Sequence, residues 1–190
     1  MVRELEAVFK GKRYSFAEHW DQVIIGYREC ERALFKFSPK NQHTIERLTD
    51  AIGSEVKLFP HVHVLDIHEL TPRGTQDGEM KPHVDSVKFS GGVVAGLSLL
   101  SPCVFELHHE KSPARVHLLL EPGTFYIMQG DARYEWAHGI RKGAVSFKGR
   151  DITRTRRLSV MLRDFKEDDI LQDHHMATTH NAPPTPPRQY

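Results

Sequence analysis

Beyond Gly53 the chain is cut into short apolar or alternating segments by closely spaced turn signals, and this punctuation limits the fold more than any other feature. The signals are Thr71-Pro-Arg-Gly74, Gly91-Gly92, Ser101-Pro102, Lys111-Ser-Pro113, Glu121-Pro-Gly123 and Gly130-Asp131. Between them lie stretches 56–70, 80–90, 93–100, 104–109, 114–120, 124–128 and 157–165, rich in β-branched and aromatic residues. Seven strands at this spacing predict an antiparallel sandwich or jelly roll. Helix is expected in the N-terminal part, to about residue 53. There Ser38 can cap, Pro39 suits the first turn, Ile45, Leu48 and Ile52 share a face, and Gly53 ends the helix. The fold class read from the sequence is therefore mainly β with an N-terminal helix.

Composition narrows the function classes. The chain has 190 residues, a formal net charge of +1 and 39% hydrophobic residues. Its apolar runs are too short for a membrane-spanning helix, which needs about 20 residues. The balanced charge gives no general pull toward nucleic acid or a membrane surface. Two cysteines cannot build a disulfide framework. The opening Met1-Val-Arg-Glu-Leu-Glu reads as neither a signal peptide nor a transit segment. One domain over 1–170 is expected, its jelly roll spanning 54–170. The Pro-, Thr- and His-rich stretch 171–190 is read as a disordered tail.

Histidine is over-represented, with 13 in the chain. His83-Val-Asp85 lies in a strand-like stretch, where residues two apart share a face. With a distant second histidine such a pair forms a two-histidine, one-carboxylate set that leaves three positions open on Fe(II). The tripeptide alone is weak, since chance supplies on the order of one match in a chain this rich in histidine. His19-Trp-Asp21 is a second match, but its surroundings read as helical, where such residues diverge. Downstream context separates the two. His138 follows in Tyr134-Glu-Trp-Ala-His138, and Arg157-Leu-Ser-Val-Met-Leu-Arg163 puts two arginines on one strand face. Guanidinium groups directed inward require anions, and a dicarboxylate co-substrate that also chelates the metal would supply them. Tyr126 can add a hydroxyl donor. His61, His63 and His68 are expected as half-exposed strand histidines, and Trp136 as a residue packing below the metal or lining the substrate mouth.

Taken together, Pro82-His-Val-Asp-Ser-Val-Lys-Phe-Ser-Gly91, Val94-Ala-Gly-Leu-Ser-Leu-Leu-Ser-Pro102, Leu119-Leu-Glu-Pro-Gly123, Ala132-Arg-Tyr134, His138 and Arg157 to Arg163 resemble the AlkB branch of Fe(II)/2-oxoglutarate dioxygenases, most of all its seventh homologue group. The similarity runs from about residue 13 to about residue 163. It implies a double-stranded β-helix, His83, Asp85 and His138 as iron ligands, and Arg157, Arg163 and Tyr126 as contacts for 2-oxoglutarate, with O₂ as the other co-substrate. It also implies oxidative hydroxylation or demethylation of a protein or RNA, a mitochondrial matrix location, and a family-level link to fatty-acid metabolism and programmed necrosis. Where many AlkB enzymes carry Asn-x-Tyr this chain reads Asp66-Ile-His68, and their Arg-x-Asn becomes Arg157-Leu-Ser159. DNA repair is accordingly not expected, and a monomer is. The alternatives are a catalytically silent jelly-roll scaffold for partner proteins and a metal-dependent cupin without 2-oxoglutarate.

Overall fold

The computed structural model describes residues 1–16, 23–68, 78–88 and 90–165. His19-Trp-Asp21 and the 171–190 tail lie outside these. In chain order the elements are α1 (Val2–Phe9), β1 (Ile24–Ile25), β2 (Tyr27–Ala33), a 3₁₀ turn at Leu34–Lys36, α2 (Pro39–Ile52), β3 (His61–Ile67), β4 (Glu79–His83), β5 (Val94–Leu99), β6 (Cys103–His109), β7 (Arg115–Leu120), β8 (Phe125–Met128), α3 (Asp131–Tyr134), β9 (Trp136–Ile140), β10 (Ala144–Phe147), β11 (Arg150–Thr153) and β12 (Arg157–Arg163).

Ten of the strands form two five-stranded antiparallel sheets, in the orders β2-β3-β12-β5-β8 and β1-β4-β9-β6-β7, while β10 and β11 form a separate hairpin. This is the expected jelly roll. Strand alternation on β12 explains how the sheets are buried. Leu158, Val160 and Leu162 join a core with Leu5 and Phe9 of α1 and Ile45 and Ile52 of α2, so the helices cover the outer face of the first sheet. Met161, on the other face of β12, joins Leu65, Ile67, Met80, Phe105 and Ile140 between the sheets. The polar residues sharing the Met161 face are thus carried into the same interlayer. No helix among the described residues is long and apolar enough to cross a membrane.

The structure departs from the sequence expectation at several elements. β1 and β2 precede α2, so the sheet begins well before residue 53. β2 carries Arg28, Glu29, Glu31 and Arg32, whose charges conceal its alternation. As the edge of its sheet, with β3 as its neighbour, it gives Arg28 and Glu29 the partners Asp66 and His63. The strand expected over 80–90 stops at His83, and β9 and the β10–β11 hairpin are additional. Ser38 precedes α2 without bonding its free N–H groups. Its hydroxyl goes instead to Glu4, which also accepts from the Ser38 N–H (3.1 Å) and from Asn41 Nδ2 (2.6 Å). A carboxylate from α1 therefore sits at the α2 N-terminus, where the helix dipole favours negative charge.

Candidate metal and co-substrate site

His83 ends β4 and pairs across the ladder with His138 of β9, so strand register alone puts the two imidazoles side by side, 4.5 Å between ring centroids. Asp85 lies beyond the strand end. Its position depends on Arg133, a fully buried arginine on α3 whose Nη1 donates to the Asp85 carbonyl at 2.8 Å. The same guanidinium donates to Gly91 O (3.2 Å), Ser90 Oγ (2.8 Å) and Ser86 O (3.5 Å), which clamps the turn leaving the strand. The carboxylate returns to the imidazoles: Asp85 Oδ1 is 3.2 Å from His83 Nε2 and 3.7 Å from His138 Nε2. One donor atom from each residue lies within 4.8 Å of the others. A single small cation could be reached by all three.

The electrostatics suit a cation. His83 Nδ1 lies 3.0 Å from Lys81 O, which places its proton there and turns the Nε2 lone pair toward Asp85. Burial pushes the His138 imidazole down to about 4, against the pull of Asp85, so it stays a neutral donor at physiological pH. Burial works against charge on Asp85, but the Arg163 guanidinium, which donates to its Oδ2, holds it well below the usual carboxylate range. Phe105 stacks on His138 (5.4 Å) and lies tilted against Tyr126 (5.0 Å), forming an apolar wall behind His138.

The arginines of β12 face this cluster. Arg157 is 1% exposed; its Nε donates to Ser98 Oγ at 3.1 Å, and its buried Nη2 finds no hydrogen-bond partner among the described residues. Arg163 donates from Nη2 to Asp85 Oδ2 (3.2 Å) and from Nη1 to His63 Nδ1 (3.1 Å), while its buried Nε has no partner among the described residues. Tyr126 of β8 pairs with Gly96 of β5. Its hydroxyl is raised by burial, with the Arg157 charge pulling the other way, so it remains a neutral donor. All six residues singled out in the sequence thus surround one interlayer region. Trp136 packs edge-on against His109 at 5.0 Å.

Two contributors escaped the sequence reading. Arg133 stands in the Ala132-Arg-Tyr134 segment of the resemblance, but nothing in the sequence signals its clamp, because its partners are mainly carbonyls remote in sequence. His63 was expected only as a half-exposed strand residue. A cross-strand pairing of β3 with β12 would have been needed to see its contact with Arg163.

A family model described as the 2OG-Fe(II) oxygenase superfamily matches residues 73–163. Over 170 residues the chain is 44% identical to the alpha-ketoglutarate-dependent dioxygenase alkB homolog 7, mitochondrial, of Mus musculus, covering 88% of this chain and 72% of that protein. The Bos taurus protein of the same name is 43% identical with the same coverage. Among solved structures, one titled "The structure of OsALKBH1" matches with a TM-score of 0.53 over 86% of this chain and 89% of that one; at 15% identity it bears on the fold alone. Identity of this order along most of both sequences makes the chain a member of the AlkB-type Fe(II)/2-oxoglutarate dioxygenases.

Proposed function

We propose that His83, Asp85 and His138 hold the Fe(II) this family uses, and that Arg157, Arg163 and Tyr126 receive 2-oxoglutarate. One observation carries the reading. Beside a two-histidine, one-carboxylate cluster, two arginines each keep a buried N–H with no partner among the described residues, on Arg157 Nη2 and Arg163 Nε. Buried donors of this kind are costly unless an anion completes them, and a dicarboxylate fits both. Bound together, Fe(II) and 2-oxoglutarate activate O₂ to oxidise a substrate C–H bond, releasing succinate and CO₂. The chain's own contribution is positional and electrostatic. Neutral imidazoles and an ionised Asp85 supply the donor set, the guanidinium forks orient the co-substrate, and the Phe105 wall keeps water from one side.

The substrate is a protein or an RNA, hydroxylated on carbon or demethylated through an N-methyl group, and the protein acts as a monomer in the mitochondrial matrix. The mitochondrial designation of the mouse and bovine relatives supports the location. The link to fatty-acid metabolism and programmed necrosis follows from the same family resemblance, and DNA repair is not part of this reading.

Succinate release from 2-oxoglutarate on addition of Fe(II) tests the assignment. The wild type is expected to turn over and His83→Ala to lose activity at least a hundredfold. No release, and no thermal shift with metal plus 2-oxoglutarate, would favour the silent scaffold. Metal binding without 2-oxoglutarate binding would favour the cupin.

A further inference from the structure

Arg163 is held on two sides. Its Nη2 bonds Asp85, and its Nη1 donates to His63 Nδ1, while His63 Nε2 lies 2.7 Å from Glu29 Oε2. Arginine has only donors, so Nδ1 must accept; the imidazole proton then sits on Nε2 and is given to Glu29. The chain of bonds Glu29–His63–Arg163–Asp85 crosses three neighbouring strands, β2, β3 and β12, and ends on a candidate iron ligand.

We infer that His63, oriented by Glu29, is a positioning residue for 2-oxoglutarate binding. It acts by fixing the Arg163 fork before the co-substrate arrives. A long, flexible arginine loses much rotamer freedom when it grips a carboxylate, and a fork already fixed loses less. With one Nη1 N–H committed to His63 and one Nη2 N–H to Asp85, the buried Nε N–H and the second N–H of each η nitrogen are left for the ligand. Packing does not require an imidazole at this place. His63 is 23% exposed through its side chain and, with Phe59, His61, Met161 and Arg163, lines a cavity of about 340 Å³. Water can fill the gap if the ring is removed, so substitution should leave the fold intact.

The inference rests on Arg163 receiving 2-oxoglutarate, and the experiment separates the two claims. Full-length wild type, His63→Leu, His63→Asn and Glu29→Gln are compared in two ways: calorimetric affinity for 2-oxoglutarate with Mn(II) in place of iron, and the kcat and KM of succinate release with Fe(II). Thermal melts confirm that each variant is folded. His63→Leu should weaken 2-oxoglutarate binding and raise its KM about tenfold, with kcat at saturation within about twofold of wild type. His63→Asn, whose Oδ1 takes the place of Nδ1, should recover to within about threefold. Glu29→Gln should fall between, because it leaves an acceptor for Nε2–H but removes the charge. Unchanged affinity in His63→Leu, an Asn variant no better than Leu, or a lower kcat at unchanged KM would each overturn the inference alone. Wild-type protein that binds no 2-oxoglutarate would overturn the underlying assignment, and this inference with it.

Discussion

Gly96 sets how closely β5 can approach Tyr126. A Cβ at this position would meet the Tyr126 ring and hydroxyl at 2.5 Å, and the two residues are direct cross-strand partners. Gly96→Ala must therefore push the phenol away from Arg157. The expected outcome is a KM for 2-oxoglutarate raised about fivefold with Mn(II) affinity unchanged, and a stability loss of about 1–3 kcal/mol from overpacking. Steady-state kinetics, metal titration and urea unfolding check the three parts. At this scale the sequence was most informative. Arg157 and Arg163 were readable because even spacing on a strand fixes their common face, and His83, Asp85 and His138 because metal chemistry needs those donor types. His63 and Arg133 were not, since what distinguishes them is a hydrogen bond to a residue distant in the chain.

Among the elements, the turn that carries Asp85 is held by one side chain. Arg133 spans from α3 to the carbonyls of Asp85, Ser86 and Gly91 and the Ser90 hydroxyl. Arg133→Met removes these donors and leaves buried carbonyls unpaired, each costing about 1–3 kcal/mol. The variant should lose roughly 3 kcal/mol or more in stability and bind Mn(II) at least tenfold more weakly. A variant with wild-type metal affinity would show that Asp85 keeps its place without the clamp. A second anchor lies on β3. Asp66 is fully buried and accepts from Arg28 Nε (2.6 Å), Arg156 Nη2 (2.8 Å) and Tyr14 Oη (3.0 Å), tying the N-terminal segment to the sheet. Asp66→Asn removes the carboxylate paired with Arg28 and leaves Arg156 with Glu6 alone, and should cost about 3 kcal/mol by chemical denaturation. Element types were legible where alternation or helical periodicity was clean, as in α2, β5 and β12. β2 was missed because its exposed edge tolerates charge at consecutive positions. The end of β4 was misplaced because an arginine, not strand geometry, turns the chain there.

For the whole molecule, burial of His138 makes stability depend on pH. Its folded value of about 4 lies below the ordinary 6.5. Between those values the unfolded chain takes up a proton that the fold refuses. The metal-free protein should therefore be most stable above about pH 6.5 and lose up to roughly 3 kcal/mol from this residue as pH falls to about 4. His138→Gln removes that component, so the difference in unfolding free energy between wild type and variant should narrow on acidification. A constant difference across the window would contradict the burial argument. The jelly roll was legible at this scale because turn spacing sets strand number, whereas sheet order and the covering of one sheet by α1 and α2 depend on long-range pairings that a single sequence does not display.

On this reading one cation and one dicarboxylate share the interlayer region bounded by β4, β9 and β12. A crystal structure of the protein soaked with Mn(II) and 2-oxoglutarate, with the metal located by anomalous scattering, tests it most directly. One manganese is expected at about 2.0–2.3 Å from His83 Nε2, His138 Nε2 and an Asp85 oxygen. The keto acid should chelate that ion, with its carboxylates on Arg157 and Arg163. Manganese elsewhere, or a keto acid that touches neither arginine, would contradict it.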